Sequence, residues 1–476
     1  MNKEKILSLI KDSTVSSNII NELTADLKNI TTNLQDAKRE DIVFYKIEKS
    51  HSKSEENFNK RMMGAKPGLL VLNEEAQESI KSDNTIFIKH ADFLRIQKIL
   101  LDELFPNKQI MKMVGITGTN GKTTTVNLAM QIASMSGHPS ISIGTIGVQD
   151  MNGSLISDIE STTPSYAELR KLIYRFQDTY EVCFIEVSSH ALSQNRLFDI
   201  KLDCAGWTSF SQDHLDYHRT MDEYFKAKLL IEEKFLKKNA SLLMPAQETG
   251  LWNKIKAEAP LAKIKMAKTL DQRNFGQSLE ERPLFYHSSY NQSNVEIALQ
   301  VNEELFGLEC LRKIQLKEIK TPLGRFSVIE LQNESMAIID YAHTPDALVN
   351  IGNAIKTAFP GHSLTVVFGC GGNRDKSKRP LMGKAVSEFA NKMIVTSDNP
   401  RDEAPEDIII DILAGIKGSY EAVIDRNKAI LAALESLGKK EIVLIAGKGH
   451  EEYQEIKGIK YPFSDFNIVM NFKAGK

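Results

Sequence analysis

Five short apolar runs between residues 335 and 450, each ending in polar residues, are separated by helix-patterned segments. "MAIIDYAH" precedes "TPDALVNIGNAIKTAF", "SLTVVFGCGGN" precedes "RPLMGKAVSEFA", and "KMIVTSDNPR" precedes "APEDIIIDILAGI". "YEAVIDR" precedes "NKAILAALESLG", and "EIVLIAGKGHEE" closes the series. Strands that alternate with helices pair in parallel, because each helix carries the chain back across the sheet. The pattern predicts an open, doubly wound α/β sheet of Rossmann-like form, with ligands at the carboxyl ends of its strands. Those ends carry His343, Arg374, Asn399, Arg401, Lys448, His450 and Glu451.

A second constraint lies upstream, in "GITGTNGKTTT" at 115–125. Before it, Ile110, Met113 and Val114 of "QIMKMV" predict a short buried strand. After it, "VNLAMQIASMSG" has apolar residues at helical spacing and stops at Gly137. Strand, glycine-rich turn and helix together bind phosphate oxygens through backbone N–H groups and a helix N-terminus. Gly118 and Gly121 let the backbone approach the anion, Lys122 reaches the outer phosphates, and Thr123 offers Mg²⁺ a hydroxyl. Ile116 stands where the GxxxxGK[ST] pattern has its first glycine, and Gly115 sits one residue earlier. The loop is expected to bind a nucleoside triphosphate.

The chain has 476 residues, too many for one core, and its length suggests about three domains. A formal net charge of -2 gives no reason to expect nucleic acid or an anionic membrane. The opening "MNKEKILSLIKDS" is too charged for a secretion signal, and no stretch approaches the ~18 apolar residues of a membrane span. Cys183, Cys204, Cys310 and Cys370 lack ligand spacing, which predicts free thiols in a reducing compartment, no structural zinc, and a cytoplasmic location. Residues 1–108 combine an amphipathic opening helix, the polar stretch "EKSHSKSEENFNKR" and the strands "GLLVLN" and "TIFIKH". A less regular polar stretch is expected from 246 to 290.

Some chemistry is visible residue by residue. Glu186 of "EVSSH" follows a buried run, where a carboxylate can meet Mg²⁺ beside a phosphate loop; acidic residues at strand ends are common, so it counts only in company. "DHLDYH" holds His214 and His218 but no helix-period apolar face, so it reads as a loop in which His214 acts singly. No G-x-S-x-G elbow surrounds Ser188, which ranks nucleophilic hydrolysis low.

The blocks "GITGTNGKTTT", "STTP", "EVSSHALSQNR", "DHLDYH", "YFKAK", "DYAHTPDAL", "FGCGGNRDKSKRPLMG", "SDNPR" and "AGKGHEEYQ" occur in this order from about 110 to 465. In that order they resemble the Mur ligases, and most closely those that extend a muramyl dipeptide nucleotide by a diamino acid. With the chain pattern, the resemblance implies an α/β protein of three domains. These are a small α/β N-terminal domain of UDP-binding type (1–108), a central P-loop ATPase-type α/β domain (109–330) and a C-terminal Rossmann-like amino-acid-binding domain (331–476).

The resemblance implies a reaction and its sites. ATP phosphorylates the free carboxylate of UDP-MurNAc-L-Ala-D-Glu, and an amino group of meso-2,6-diaminopimelate displaces phosphate from the acyl phosphate. Gly118, Thr119, Asn120, Gly121, Lys122, Thr123 and Thr124 would hold ATP, with Asn294 of "YNQSNVEIAL" at the adenine and Arg325, Asp340 and His343 nearby. Thr123 and Glu186 would hold one Mg²⁺. Lys228 of "YFKAK", carbamylated, and His214 would hold a second; pattern alone gives an exposed lysine, and Lys226 stays open as an unmodified alternative. The expected catalytic residues are Lys122, Lys228 and His214.

Thr162, Thr163, Ser188, Gln194 and Arg196 match the contacts to the muramyl dipeptide nucleotide. Arg374, Asp398, Asn399, Arg401, Gly447 and Glu451 match the diaminopimelate pocket. Arg401 has a direct physical reason there: diaminopimelate carries a distal carboxylate, whereas lysine would set an ammonium against the guanidinium. The N-terminal region reads "LQDAKREDIVFYK" where the family commonly has a serine–arginine pair, so no uridine contacts are nominated. Other readings are a lysine-adding or folylpolyglutamate-type amide ligase, and a non-catalytic ATP-binding protein. The long stretch before Gly115 argues against the folyl type, Arg401 against lysine, and Lys122, Glu186, His214 and Lys228 against a scaffold. A monomer acting on small molecules, without nucleic acid or membrane partners, is expected.

Overall fold

In the computed structural model of the chain, residues 1–18, 26–47, 54–77, 80, 83–159, 161–273 and 284–475 are described. The strand ahead of the glycine-rich loop spans Lys112–Thr117, with Met113, Val114 and Ile116 buried. Ile110 is 58% exposed, which corrects the expectation that it belongs to this strand. Gln109 takes a left-handed φ of 56°, and the chain enters the sheet only at Lys112. The helix Lys122–Met135 follows, ended by Gly137 at φ 90°. His138 N donates to Ala133 O (2.9 Å) and Gly137 N to Ser134 O (3.0 Å), so the last carbonyls are satisfied in a Schellman arrangement.

The chain divides into two compact units. The first comprises Met1–Lys112, Pro164–Glu181 and Gln194–Ile200. Its five-stranded sheet runs Thr14–Asn18, Thr85–Ile88, Leu69–Asn73, Asp41–Tyr45, Asn29–Thr31, with only the first pair antiparallel. Of the polar stretch at 48–61, residues 48–53 lie outside the described residues and the rest falls in the helix Ser54–Met62. The helix Tyr166–Phe176 brings Arg170 into this unit. Arg170 is fully buried and donates to Asp102 Oδ1 (2.6 Å) and the Tyr166 hydroxyl (2.9 Å).

The second unit holds two further sheets. Eight strands run in the order Ile264–Met266, Leu242–Met244, Cys204–Trp207, Lys112–Thr117, Val182–Glu186, Ser140–Gly144, Gly147–Gln149, Leu155–Ser157. The strand before the phosphate loop therefore has on either side a strand that comes later in the chain. The loop opens into the crevice between them, where α/β sheets bind ligands. Six more strands run Ser327–Glu330, Met336–Asp340, Glu441–Ala446, Ser363–Phe368, Lys392–Val395, Glu421–Ala422. All pair in parallel except the first. The five predicted strands are all present, "YEAVIDR" supplying only two residues. A hairpin, Tyr453–Ile456 with Ile459–Pro462, and the helix Asp465–Lys473 complete the unit. One apolar core runs from Val114 and Ile116 through Val295 and Leu299 to Ile338 and Ile442.

The four cysteines are buried free thiols. Among the described residues no helix is long and apolar enough to cross a membrane.

Candidate active site

Two glycines shape the phosphate loop. At Gly118 (φ 147°) a Cβ would stand 2.0 Å from Thr208 Oγ1, and at Gly121 (φ 86°) 2.4 Å from Asn294 Oδ1. Gly121 caps the helix Lys122–Met135 without any side-chain hydrogen bond. The first N–H groups of a long helix are thereby left for an anion. Lys122 Nζ donates to the loop's own carbonyls, Gly118 O at 3.0 Å and Thr119 O at 2.9 Å. Burial lowers its pKa, against the pull of Glu186 and Asp213. Asn120 Nδ2 donates to Thr344 Oγ1 (3.2 Å), tying the loop to the helix Pro345–Ala358.

Thr123 Oγ1 donates to Glu186 Oε2 at 2.9 Å. Glu186 ends the neighbouring strand and also accepts from Thr145 N (2.7 Å); a Cβ on Gly144 would stand 2.1 Å from its Oε1. A hydroxyl and a buried carboxylate at the head of a phosphate-binding helix are hard oxygen donors of the kind Mg²⁺ takes together with phosphate oxygens. No group of three or more His, Cys, Asp or Glu residues gathers for a metal among the described residues.

The helix Met221–Leu230 separates the two lysines of "YFKAK". Lys226 points outward to Asp222, its side chain 59% exposed. Lys228 is 1% exposed and donates to Gly118 O at 2.8 Å. Burial, then the charge of Lys122, brings its pKa well below that of a free lysine, which favours the neutral amine. "DHLDYH" forms one helical turn, Leu215–His218, rather than the expected loop. His214, left-handed at φ 56°, precedes the turn, and both Tyr217 N and His218 N donate to its carbonyl. The two histidines do part company: His218 is buried against Ser189 Oγ (2.9 Å), and His214 Nε2 lies 3.5 Å from Asp213 Oδ2. Burial pushes the His214 pKa down to about 3 despite Asp213.

Asp213 joins the central and C-terminal sheets within this unit. Lys378 Nζ donates to it at 3.3 Å, and His343 Nε2 lies 3.8 Å away. Burial alone would raise the Asp213 pKa, but Lys378 and the two histidines hold it far below the usual carboxylate range.

Beside the loop, a cavity of roughly 260 Å³ is lined by Gly121, Thr124, Tyr290, Asn294, Arg325, Asp340 and His343, among others. Asn294 accepts from Thr125 Oγ1 (3.1 Å). Arg325 lies 4.2 Å over the Tyr341 ring and donates from Nη2 to Thr123 Oγ1 (3.0 Å), while its buried Nε has no hydrogen-bond partner. Asp340 accepts from Phe326 N (2.7 Å) and Ala342 N (2.8 Å), and burial raises its pKa.

Thr162 meets Thr145 hydroxyl to hydroxyl at 3.1 Å. Thr163 Oγ1 donates to Glu186 O (2.8 Å) and accepts from Ser188 N (3.0 Å). Thr162, Thr163 and Ser188 thus cluster at the end of the Glu186 strand. Gln194 and Arg196 belong to the first unit, where Arg196 donates twice to Gln194 Oε1 (3.0 and 2.8 Å).

At the carboxyl ends of the C-terminal sheet, Asn399 Nδ2 donates to Glu451 Oε2 (2.9 Å). Arg401 takes φ 52°, donates from Nε to Glu455 Oε2 (3.0 Å) and from Nη1 to Gly372 O (2.9 Å). A Cβ on Gly371 would meet Arg401 Nη1 at 2.9 Å and Arg374 Cγ at 3.8 Å, so the Arg401 guanidinium and the stem of the exposed Arg374 flank that glycine. Asp398 lies against Gly447, whose Cβ would stand 2.6 Å from Asp398 Oδ2.

Family models described as the Mur ligase middle domain and the Mur ligase glutamate ligase domain match residues 116–308 and 324–449. A UDP-N-acetylmuramoyl-L-alanyl-D-glutamate--2,6-diaminopimelate ligase of Aquifex aeolicus is 37% identical over 394 residues, 77% of this chain and 78% of that protein. The chain belongs to the Mur ligase family. The solved structure of another ligase of that name is 26% identical, with a TM-score of 0.56, over 94% of this chain and 95% of its own. A bifunctional folylpolyglutamate synthase/dihydrofolate synthase from Yersinia pestis, solved with AMPPNP and Mn, shares the fold at 18% identity and a TM-score of 0.57. It covers only 74% of this Mur ligase and 89% of its own chain.

Sequence reasoning passed over Asp213, Lys378 and Tyr341. Asp213 and Tyr341 adjoin the named His214 and Asp340, and Lys378 stands four residues after Arg374, but nothing local marks them. Asp213 and Lys378 meet across 165 positions of chain, and Tyr341 lies under Arg325, from the approach to the preceding strand Ser327–Glu330.

Proposed function

We propose that this Mur ligase joins meso-2,6-diaminopimelate to UDP-MurNAc-L-Ala-D-Glu at the expense of ATP, a step of peptidoglycan precursor synthesis in the cytoplasm. The observation that carries the choice of amino acid is the Arg401 guanidinium packed against Gly371, with Arg374 three residues further along the same loop and Asn399 bonded to Glu451. Two guanidiniums and a carboxylate complement a ligand with two carboxylates and ammonium groups. The diaminopimelate ligases named above support the same reading. For the chain organisation we infer domains at 1–108, 109–330 and 331–476.

The chemistry brings anions together. The carboxylate of the D-glutamyl residue attacks the γ-phosphorus, the bond to the β-phosphate oxygen breaks, and ADP leaves. An unprotonated amine of diaminopimelate then attacks the acyl carbon, and phosphate departs with the C–O electron pair. The loop N–H groups and Lys122 offset charge that grows on the transferring phosphoryl group. Lys122 is poised for this: its ammonium spends its bonds on carbonyls it can exchange for phosphate oxygens. Arg325, at Thr123, carries its charge to the same place from the C-terminal side.

Thr123 and Glu186 would hold one Mg²⁺, with His214 and Lys228 for a second, and the metal when bound supplies Lewis-acid neutralisation of phosphate charge. Burial, which lowers the Lys228 pKa, suits carbamylation: the lone pair of the unprotonated amine bonds the carbon of CO₂, a proton leaves, and a neutral group becomes an anion. His214, held neutral, keeps a lone pair for coordination. Asn294 and the cavity beside Gly121 take the adenine side of ATP, and Asp340 and His343 also line that cavity. Thr162, Thr163 and Ser188 take part of the muramyl dipeptide nucleotide, and Gln194 and Arg196 are assigned to the same ligand from the sequence resemblance alone.

The test is phosphate release by the purified protein with ATP, Mg²⁺ and UDP-MurNAc-L-Ala-D-Glu, comparing meso-diaminopimelate with lysine. Release that depends on diaminopimelate is expected. Equal or better use of lysine would overturn the amino-acid assignment, and indifference to the nucleotide would overturn the reaction.

A further inference from the structure

Lys448 follows the last strand of the C-terminal sheet, Glu441–Ala446, by two residues, and its side chain is fully buried. A lysine so buried needs anionic or polar partners to stay charged. Its Nζ donates to Asn399 Oδ1 at 3.0 Å and to Glu451 Oε2 at 2.8 Å, and lies 5.5 Å from the Tyr453 ring centroid. Asn399 Nδ2 donates to the same Glu451 oxygen, closing a triangle of three side chains. Asn399 Oδ1 also accepts from Glu455 N (2.9 Å), which fastens the triangle to the hairpin. Thus one oxygen of Glu451 is fixed twice over by groups the sequence brings from positions 399 and 448.

The charges around it do not cancel. Arg426 and Asp465 form a fully buried bidentate ion pair, Nε to Oδ1 at 2.9 Å and Nη2 to Oδ2 at 2.8 Å. Arg401 is paired with Glu455. Lys448 is then the cation shared by Asp398 and Glu451, so two cations face three carboxylates at the network's centre. Burial works to raise the Asp398 pKa, but Lys448 and then Arg426 bring it net below the usual range, which keeps it ionised. Lys448 is thus divided between Asp398 and the partly exposed Glu451, whose carboxylate is left able to take a ligand ammonium as well.

We propose that Lys448 is a positioning residue of the amino-acid subsite, holding Glu451 and Asn399 in the geometry that receives a substrate ammonium. The inference rests on the diaminopimelate-ligase reading. Lys448 touches no reacting atom; it acts through the orientation of Glu451, as preorganised supporting groups do in tight sites.

Steady-state kinetics of Lys448→Met and Lys448→Gln, beside the wild type, test it. Both variants should raise KM for meso-diaminopimelate by about 10- to 100-fold, with KM for ATP and for UDP-MurNAc-L-Ala-D-Glu within about twofold of wild type. At saturating diaminopimelate kcat should largely recover, a split that general destabilisation does not produce. An unchanged KM for diaminopimelate, or equal rises for all three substrates, overturns the proposal. Should neither variant fold, a crystal structure of the wild-type protein with meso-diaminopimelate decides. Lys448 Nζ remaining on Glu451 supports the role, and its release from Glu451 refutes it. A wild type that releases no phosphate with diaminopimelate removes the functional reading itself, and this inference with it; an active wild type beside indifferent variants removes only the inference.

Discussion

At the scale of single residues, burial decides which of two similar side chains carries chemistry. Lys226 and Lys228 lie two positions apart on one helix, and pattern alone leaves both open. The helix turns Lys226 out to Asp222 and Lys228 in to Gly118 O. Only the buried amine is pushed toward neutrality, and only a neutral amine bonds CO₂. We expect Lys228→Ala to lower kcat by about 100-fold or more, on the scale of losing one transition-state charge group, and Lys226→Ala to leave it near wild type. Intact-mass spectrometry under CO₂ should add a carbamate to the wild type and to Lys226→Ala but not to Lys228→Ala. Full activity in Lys228→Ala would remove the second metal site from the scheme. Legibility at this scale follows locality. Lys122 and Thr123 sit in a motif whose spacing suggests their chemistry, and Glu186, ambiguous alone, gains meaning beside them. Asp213 and Lys378 become a pair only when residues 165 positions apart meet.

Elements were legible where a strong period or a stop signal marks them. The helix Lys122–Met135 ends at the glycine that "SMSG" announces, and Thr344 with Pro345 opens the next helix as cap and first residue. Short elements escaped. The turn Leu215–His218 is too brief to show a helical period. The hairpin after Glu451 is signalled by Lys457 and Gly458, both at positive φ, between alternating strands, yet its strand residues are exposed or half-buried and leave little apolar alternation. The phosphate loop itself offers the sharpest prediction at this scale. Gly121 combines a left-handed φ of 86° with a Cβ position 2.4 Å from Asn294 Oδ1. Alanine there must displace Asn294 or unwind the cap, each at a cost of about 1 kcal/mol or more. Because Asn294 and Gly121 both line the cavity, Gly121→Ala should raise KM for ATP by about tenfold or more while circular dichroism keeps its helical signal. An unaltered KM would mean the adenine lies elsewhere.

For the whole molecule, α/β alternation makes the C-terminal sheet readable, and the early glycine loop does the same for the central one. The makeup of the first unit was not readable, because it gathers segments from three stretches of chain, held in part by Arg170 reaching Asp102. The folded chain also binds protons differently from the unfolded one, which gives a global prediction. Burial lowers the pKa of His218 and His343 from 6.5 to about 4 and that of His214 and His450 to about 3. Below about pH 6.5 these imidazoles charge in the unfolded chain, while in the folded one they wait until pH 4 or lower. Unfolding then takes up about four protons, fewer to the extent that solvent screens the half-buried His214, His343 and His450, so stability falls as pH falls through this window. Asp340, with its raised carboxyl, works in the opposite direction, and Asp213 and Glu403, with depressed ones, add to the loss below the ordinary carboxylate range. Between pH 7 and 5.5 the histidines dominate. At a fixed scan rate the apparent thermal midpoint should drop more steeply from pH 7 toward pH 5.5 than from pH 8 to 7, with a shallower drop in His450→Gln. A midpoint that rises on acidification would mean that these rings gain counter-charges in solution, and with them the neutral lining of the cleft would be lost.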